Sequence, residues 1–331
     1  HDFHRLGRQK EARGWYQQGL DLAPSDRPDL AGSAELGLGN VCHVLSRHEE
    51  AMAHARRGIE LCRDADDVYG ESIAHGNLGN SLGGLGRWEE ALDQQRACLR
   101  LTEAIGRRTS LSTVWSNTGN ALHALGRLGE ALDHYERALQ VAREIGSAHN
   151  AAVSLVNLGL ARLKLGDLAG AQESLDATLE ICRERATPYP EGYALWSLAE
   201  LQLEKGDRQQ ALTRAEESLA VRRRIQHQDG IVESLSLIGR LHLEGGEAES
   251  ARQALDEAIK LARAGGGGYR LTAALAIRAG LEDGDATEAL QALEQTGSAG
   301  EQVSIRHDLW KATGDVAHLR AARRLVDHLQ A

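Results

Sequence analysis

Apolar residues recur at helical spacing along most of the chain. Val114, Trp115, Thr118, Leu122 and Leu125 lie one, three and four residues apart, the spacing that lines one face of an α-helix. A longer amphipathic run follows, as from Ala131 to Ile145. Between the two runs stands a glycine, and Gly86, Gly126, Gly166, Gly206 and Gly246 succeed one another at intervals of forty residues. Ala91, Ala131, Ala171, Ala211 and Ala251 keep the same step. Self-similarity at a fixed period is the mark of a repeat architecture. Each period predicts a helical hairpin, a helix A ending at the glycine and a helix B beginning just after it.

The two small residues have separate steric roles. The glycine supplies the left-handed conformation that stops helix A. The alanine five residues on lets helix B approach its partner closely. A bulky side chain at Ala131 is expected to cost about 1–3 kcal/mol through overpacking.

Inside helix A, Leu38-Gly39, Leu78-Gly79 and Leu158-Gly159 repeat one dipeptide; Thr118-Gly119 and Ile238-Gly239 vary it, and Leu198-Ala199 departs by one methyl group. With the turn glycine and the small residues of helix B, this pattern resembles the tetratricopeptide-repeat family over nearly the whole chain. The resemblance implies an all-α fold, a right-handed superhelix (α-solenoid) of stacked antiparallel helix pairs. Gly7, Ala12, Tyr16, Leu20 and Pro24 match the turn, helix B and closing proline of a first repeat truncated at its start. His1 is therefore expected to be a boundary within a longer polypeptide, with a further domain upstream. The array is expected over 1–264. After the glycine run Gly265 to Gly268, the next turn glycines, Gly284 and Gly314, arrive after 38 and 30 residues. Residues 265–331 read as shorter repeats forming a cap, with Arg320, Arg323, Asp327 and His328 on a solvated last helix.

Composition narrows the function. Basic residues number 38 against 48 acidic, a formal charge of −10, the wrong sign for a phosphate-binding surface, so nucleic acid is not expected as a partner. No stretch approaches the roughly 18 apolar residues of a membrane span. Cys42, Cys62, Cys98 and Cys182 stand far apart without CxxC spacing, which suits buried thiols and a cytoplasmic location. Fourteen histidines include no HExxH, and no metal or other cofactor is expected. Gly79-Asn80-Ser81-Leu82-Gly83 fits the G-x-S-x-G of a nucleophile elbow, but that motif needs a strand before the serine. Neither Gly76 to Gly86 nor Gly265 to Gly268 ends in the Lys-Ser or Lys-Thr of a phosphate loop. The chain is not expected to be an enzyme.

The resemblance implies that helix A lines a concave groove, and the Leu-Gly landmark fixes the inward register. One residue beyond it stand Asn40, Asn80, Asn120, Leu160, Glu200 and Arg240; immediately before it stand Gly37, Asn77, Asn117, Asn157, Ser197 and Leu237. Two readings of the asparagines are open. Their amides can form a ladder pairing with the backbone of an extended peptide, or they are family consensus kept for helix contacts. His43 and His123 occupy equivalent inward positions, and Tyr193 with Trp196 offers an aromatic anchor. Ile73, Gly76, Thr113, Ser116, Val153 and Val156 replace the basic residues with which chaperone-tail binders grip a carboxylate. At the residue after the glycine slot, Arg8, Arg47, Arg87 and Arg127 give way to Asp167, Asp207, Glu247, Asp285 and Asp315, read either as helix capping or as a polarised edge that orients a partner.

The forty-residue class resembles spindle-orientation adaptors, bacterial Rap-type regulators and the sensor arms of bacterial signal-transduction ATPases. The expected function is a non-catalytic scaffold that binds a protein or extended peptide in its concave groove, as the sensing region of a larger bacterial signalling protein. A free-standing adaptor linking two partners, or a regulatory region attached to an upstream protease or NTPase, are the alternatives.

Overall fold

The structure is a computed structural model that describes residues 9–45, 47–265, 267–281, 285–293 and 299–330. Gly7, Arg8 and Gly284 lie outside the described residues, as do the side chains of Asp327 and His328. Among the described residues there are seventeen helices and no strand. Contacts divide the chain into two units, His1–Ser147 and Ala148–Ala331.

The first unit holds α1 (Gln9–Leu22), α2 (Pro28–Val44), α3 (His48–Asp64), α4 (Val68–Gly84), α5 (Trp88–Ala104), α6 (Arg108–Ala124) and α7 (Leu128–Glu144). The second holds α8 (Ala148–Lys164), α9 (Leu168–Arg185), α10 (Pro188–Glu204), α11 (Arg208–Arg224), α12 (Gln228–Glu244) and α13 (Ala248–Ala264), then α14 (Tyr269–Arg278), α15 (Thr287–Leu293), α16 (Ala299–Thr313) and α17 (Val316–Gln330). From Pro28 to Ala248 a helix starts every 20 residues. Even-numbered helices in this stretch are A helices and odd-numbered ones are B helices. Within each unit every A helix packs against its own B helix and also touches the next A helix directly, α2 on α4 on α6 and α8 on α10 on α12. The A helices therefore form the closely spaced, inner layer of each unit. Regular length ends at Ala264, and Ile305 and Leu309 of α16 join the core that contains Leu235 and Ile238 of α12.

The turn glycines behave as their spacing predicts, with φ of 75° at Gly86 and Gly126, 80° at Gly166, 79° at Gly206 and 74° at Gly246. The chain also makes the same turn on the opposite side, from helix B to the next helix A. There the left-handed residue is Asp66, Gly106, Gly146, Ala186 or Gln226. In both kinds of turn an amide reaches back five residues, as from Arg87 to the Leu82 carbonyl at 3.0 Å and from Asp67 to the Cys62 carbonyl at 2.8 Å. This closure satisfies carbonyls that the helix end leaves open.

Helices A and B approach closely at the second residue of the Leu-Gly step, which faces the residue sixteen positions later. A Cβ on Gly79 would stand 2.7 Å from the Gln95 amide, on Gly119 2.6 Å from the Tyr135 ring, on Gly159 2.8 Å from Leu175 and on Gly239 2.5 Å from Leu255. Where helix A carries Ala199, helix B carries Ala215, and both are fully buried. The one-methyl departure at Ala199 is thus matched by a smaller residue across the interface. Ala91, Ala131, Ala171, Ala211 and Ala251 are all buried, at 0–1% exposure. Gly119→Ala is expected to destabilise the chain by about 1–3 kcal/mol, since Tyr135 fills the space. Gly39→Ala, whose Cβ would be 3.4 Å from its nearest neighbours opposite Ala55, is expected to be near neutral, because alanine's better helix propensity of up to about 1 kcal/mol offsets the crowding. Urea titration of the two variants beside the parent chain checks the contrast.

Candidate functional site

The inner face of each unit is built from positions three and four residues apart on successive A helices, which share one side of a helix. In the first unit Asn40, Asn77, Asn80, Asn117, His43 and His123 are half-buried there, and Asn120 is exposed. In the second unit Asn157, Tyr193, Trp196, Glu200 and Arg240 are half-buried. Every predicted site residue thus retains a share of solvent-accessible surface.

Helix B dictates how the asparagines stand. Gln95 on α5 donates from Nε2 to the Gly76 carbonyl at 3.2 Å and to Asn80 Oδ1 at 2.8 Å. A backbone carbonyl can only accept, so Gln95 must present its nitrogen, and Asn80 must turn its oxygen inward to meet it. One repeat later the Tyr135 hydroxyl donates to Asn120 Oδ1 at 2.9 Å. Asn77 acts differently, donating to the Leu36 carbonyl of the neighbouring A helix at 3.4 Å. The amide oxygens of Asn80 and Asn120 and the amide nitrogen of Asn77 thus make contacts within the fold.

His43 packs against His48, with ring centroids 5.3 Å apart, and neither Nδ1 has a hydrogen-bond partner. Burial, reinforced by His48, pulls the His43 imidazole down to about 4. In the second unit burial pushes the Glu200 carboxyl up, against the opposing pull of Lys164 and Arg240. Burial likewise raises Asp308, with Arg240 opposing. The Trp196 indole N–H and Arg240 Nε are buried without a partner.

Sequence reasoning missed a cluster beside Tyr193. The Tyr189 ring lies 5.2 Å from Tyr193 and 5.2 Å from His227, and Tyr193 lies 5.7 Å from His227. Beneath them the guanidinium of fully buried Arg222 stacks on Tyr193 at 4.7 Å. The forty-residue register held the signal, because the slots equivalent to Arg222 carry Cys62, Thr102, Ala142, Cys182 and Ala262.

Ion pairs engage the arginines along the turns, and capping engages two of the acids. Arg87 and Arg127 each make two hydrogen bonds of 2.7 Å to the glutamate three residues on, Glu90 and Glu130, and Arg47 pairs with Glu50. Asp167 and Asp207 instead cap their helices, accepting from the amides of Gly170 at 2.9 Å and Gln210 at 3.0 Å. Each arginine is neutralised by its own glutamate. Ser81 of the G-x-S-x-G match lies inside α4, fully buried, and donates to the Asn77 carbonyl at 2.9 Å. All four cysteines are free and buried, and burial raises Cys62 to about 11. No helix among the described residues is long and apolar enough to cross a membrane.

Two tetratricopeptide-repeat models match the chain, one over residues 30–104 and 110–184 and the other over 197–268. The chain belongs to the tetratricopeptide-repeat family. No curated protein matches it. Among solved structures, this tetratricopeptide-repeat chain is similar to the Rap conjugation gene regulator of plasmid pLS20 in complex with a peptide, at a TM-score of 0.73 and 12% identity over 97% of this chain and 96% of that one. NprR in complex with its cognate peptide NprX follows, at 0.66 and 14% over 97% and 99%. Aspartyl phosphate phosphatase F from Bacillus subtilis matches at 0.63 and 12% over 99% and 90%. At such identities these likenesses establish the fold, an α-solenoid of tetratricopeptide repeats.

The depressed His43 gives the chain a pH signature. In the unfolded chain a histidine takes up its proton near 6.5, whereas the folded one resists until about 4. Stability is therefore expected to fall with pH across that window, because the unfolded state binds the proton first. Substituting His43→Gln should make the decline of Tm between pH 6.5 and pH 4 shallower. An unchanged slope in thermal melts across that range would show that His43 does not set it.

Proposed function

We propose that this chain is a peptide-binding regulator, a non-catalytic scaffold whose A helices hold an extended peptide along their inner faces, and that it serves as the sensing region of a larger bacterial signalling protein. The observation that carries the reading is the Gln95 to Asn80 hydrogen bond. It fixes the amide on a rigid helix with its donors left for a carbonyl of a bound backbone. Such preorganisation lowers the entropic cost of binding. Family membership and the peptide complexes among the structural neighbours support the same reading. In the second unit Glu200 and Arg240 put both signs of charge at the positions equivalent to Asn80 and Asn120, and Trp196 adds an indole one turn earlier, which suits side-chain selection rather than backbone holding.

The test begins with peptides selected from a random library on the purified chain and measured by fluorescence anisotropy. Asn80→Ala with Asn120→Ala is expected to weaken a selected peptide by about tenfold, near 1.4 kcal/mol. Asn80→Asp, which presents only acceptors toward a carbonyl, should weaken it at least as much. Unchanged affinity in both variants would refute the backbone-holding role, and selection of no peptide would refute the peptide-binding reading itself.

A further inference from the structure

Arg222 begins on α11, in the outer layer, and is the largest fully buried side chain among the described residues. Its path leads between two A helices at places where side chains are missing. A Cβ on Gly192 of α10 would stand 3.0 Å from Arg222 Cγ, and one on Gly230 of α12 would stand 2.8 Å from Cδ and Nε. The guanidinium then donates from Nη1 to the Gly230 carbonyl at 2.7 Å and to Ser234 Oγ at 3.1 Å, and lies 3.4 Å from Glu233 Oε2. Its flat face covers the Tyr193 ring.

Tyr193 and Glu233 hold the same position on successive A helices, forty residues apart, where Ser33, Ile73, Thr113 and Val153 stand elsewhere. Both are half-buried on the inner side. An outer-layer residue therefore braces two inner-face residues at once. From the other side Arg270 grips Glu233 at 2.9 Å and Asp229 at 3.5 Å, so Glu233 is suspended between two cations.

Stability does not explain this arginine. Its Nε and Nη2 are buried with no partner, and a buried guanidinium left partly unsatisfied costs free energy that an apolar side chain of similar length would not. The equivalent slots hold Cys62, Thr102, Ala142, Cys182 and Ala262, each buried. We infer that Arg222 is a positioning residue, which fixes the Tyr193 ring and the Glu233 carboxylate toward the inner face and so determines which peptide side chains the second unit accepts. The inference rests on the reading that this face binds a peptide. In the absence of the guanidinium the ring loses the surface on which it rests, and Glu233 is drawn toward Arg270 alone.

The experiment compares Arg222→Met, Arg222→Lys and the parent chain in three measurements: thermal melting, affinity for a peptide selected on the parent chain, and the fluorine resonance of Tyr193 in protein made with 3-fluorotyrosine, assigned with Tyr193→Phe. Arg222→Met is expected to melt no lower than the parent, to bind the peptide about tenfold more weakly, and to shift the Tyr193 resonance. Arg222→Lys, which keeps the charge and loses the planar stacking, should lie between the two. A fall in Tm with affinity and resonance unchanged would reduce Arg222 to a packing residue and overturn the inference. Should Arg222→Met not fold, the same resonance and affinity in Arg222→Lys as in the parent would overturn it equally. If the parent chain selects no peptide, the binding role of the inner face fails and the specificity role of Arg222 with it; a resonance that stays in place in Arg222→Met removes the positioning role alone.

Discussion

Close approach of each A helix to its own B helix is the constraint from which the rest follows. The backbones meet where helix A has no room for a Cβ, opposite Gln95, Tyr135, Leu175 or Leu255. Dispersion contacts and apolar burial at this seam supply much of the hairpin's stability, and interiors packed this densely transmit the size of one residue directly to its neighbour. The pairing of Ala199 with Ala215 shows the rule from its other side: when one helix gives up volume, the other can take a methyl group. In four hairpins a glycine on helix A thus faces a large residue sixteen positions later, whereas Gly39 and Ala199 face alanines.

The same seam connects the outer layer to the inner face. Gln95 and Tyr135, large residues admitted by a facing glycine, reach far enough to bond Asn80 and Asn120 on the inner side. Arg222 goes further and passes between two A helices to reach Tyr193 and Glu233. In each case a residue remote from solvent sets the orientation of one that faces it. Rigid helices with side chains locked from behind form a surface that would need little rearrangement on association.

Most of the architecture was legible because its causes are local and periodic. The glycine and alanine steps announced the A-to-B turns, and the Leu-Gly landmark marked where helix A approaches its own helix B. The B-to-A turns escaped notice because Asp66, Ala186 and Gln226 adopt the left-handed conformation without being glycine, held there by the five-residue closure on each helix end. The arginines along the turns left capping and a polarised edge both open, and the structure adds the ion pairs with Glu50, Glu90 and Glu130 three residues on. Arg222 was hidden for a different reason: a long polar residue in a small-residue slot looks like a surface arginine unless the repeats are compared column by column.

A double-mutant cycle on Gly119 and Tyr135 measures the central relation most directly. If the two residues share one volume across the helix seam, Gly119→Ala should cost far less in a Tyr135→Ala background than in the parent chain, as the Ala199 and Ala215 pairing implies, and the coupling should fall within about 0.5–3 kcal/mol. Strictly additive losses in urea titrations would contradict the account, because they would mean that the two helices do not meet at this point.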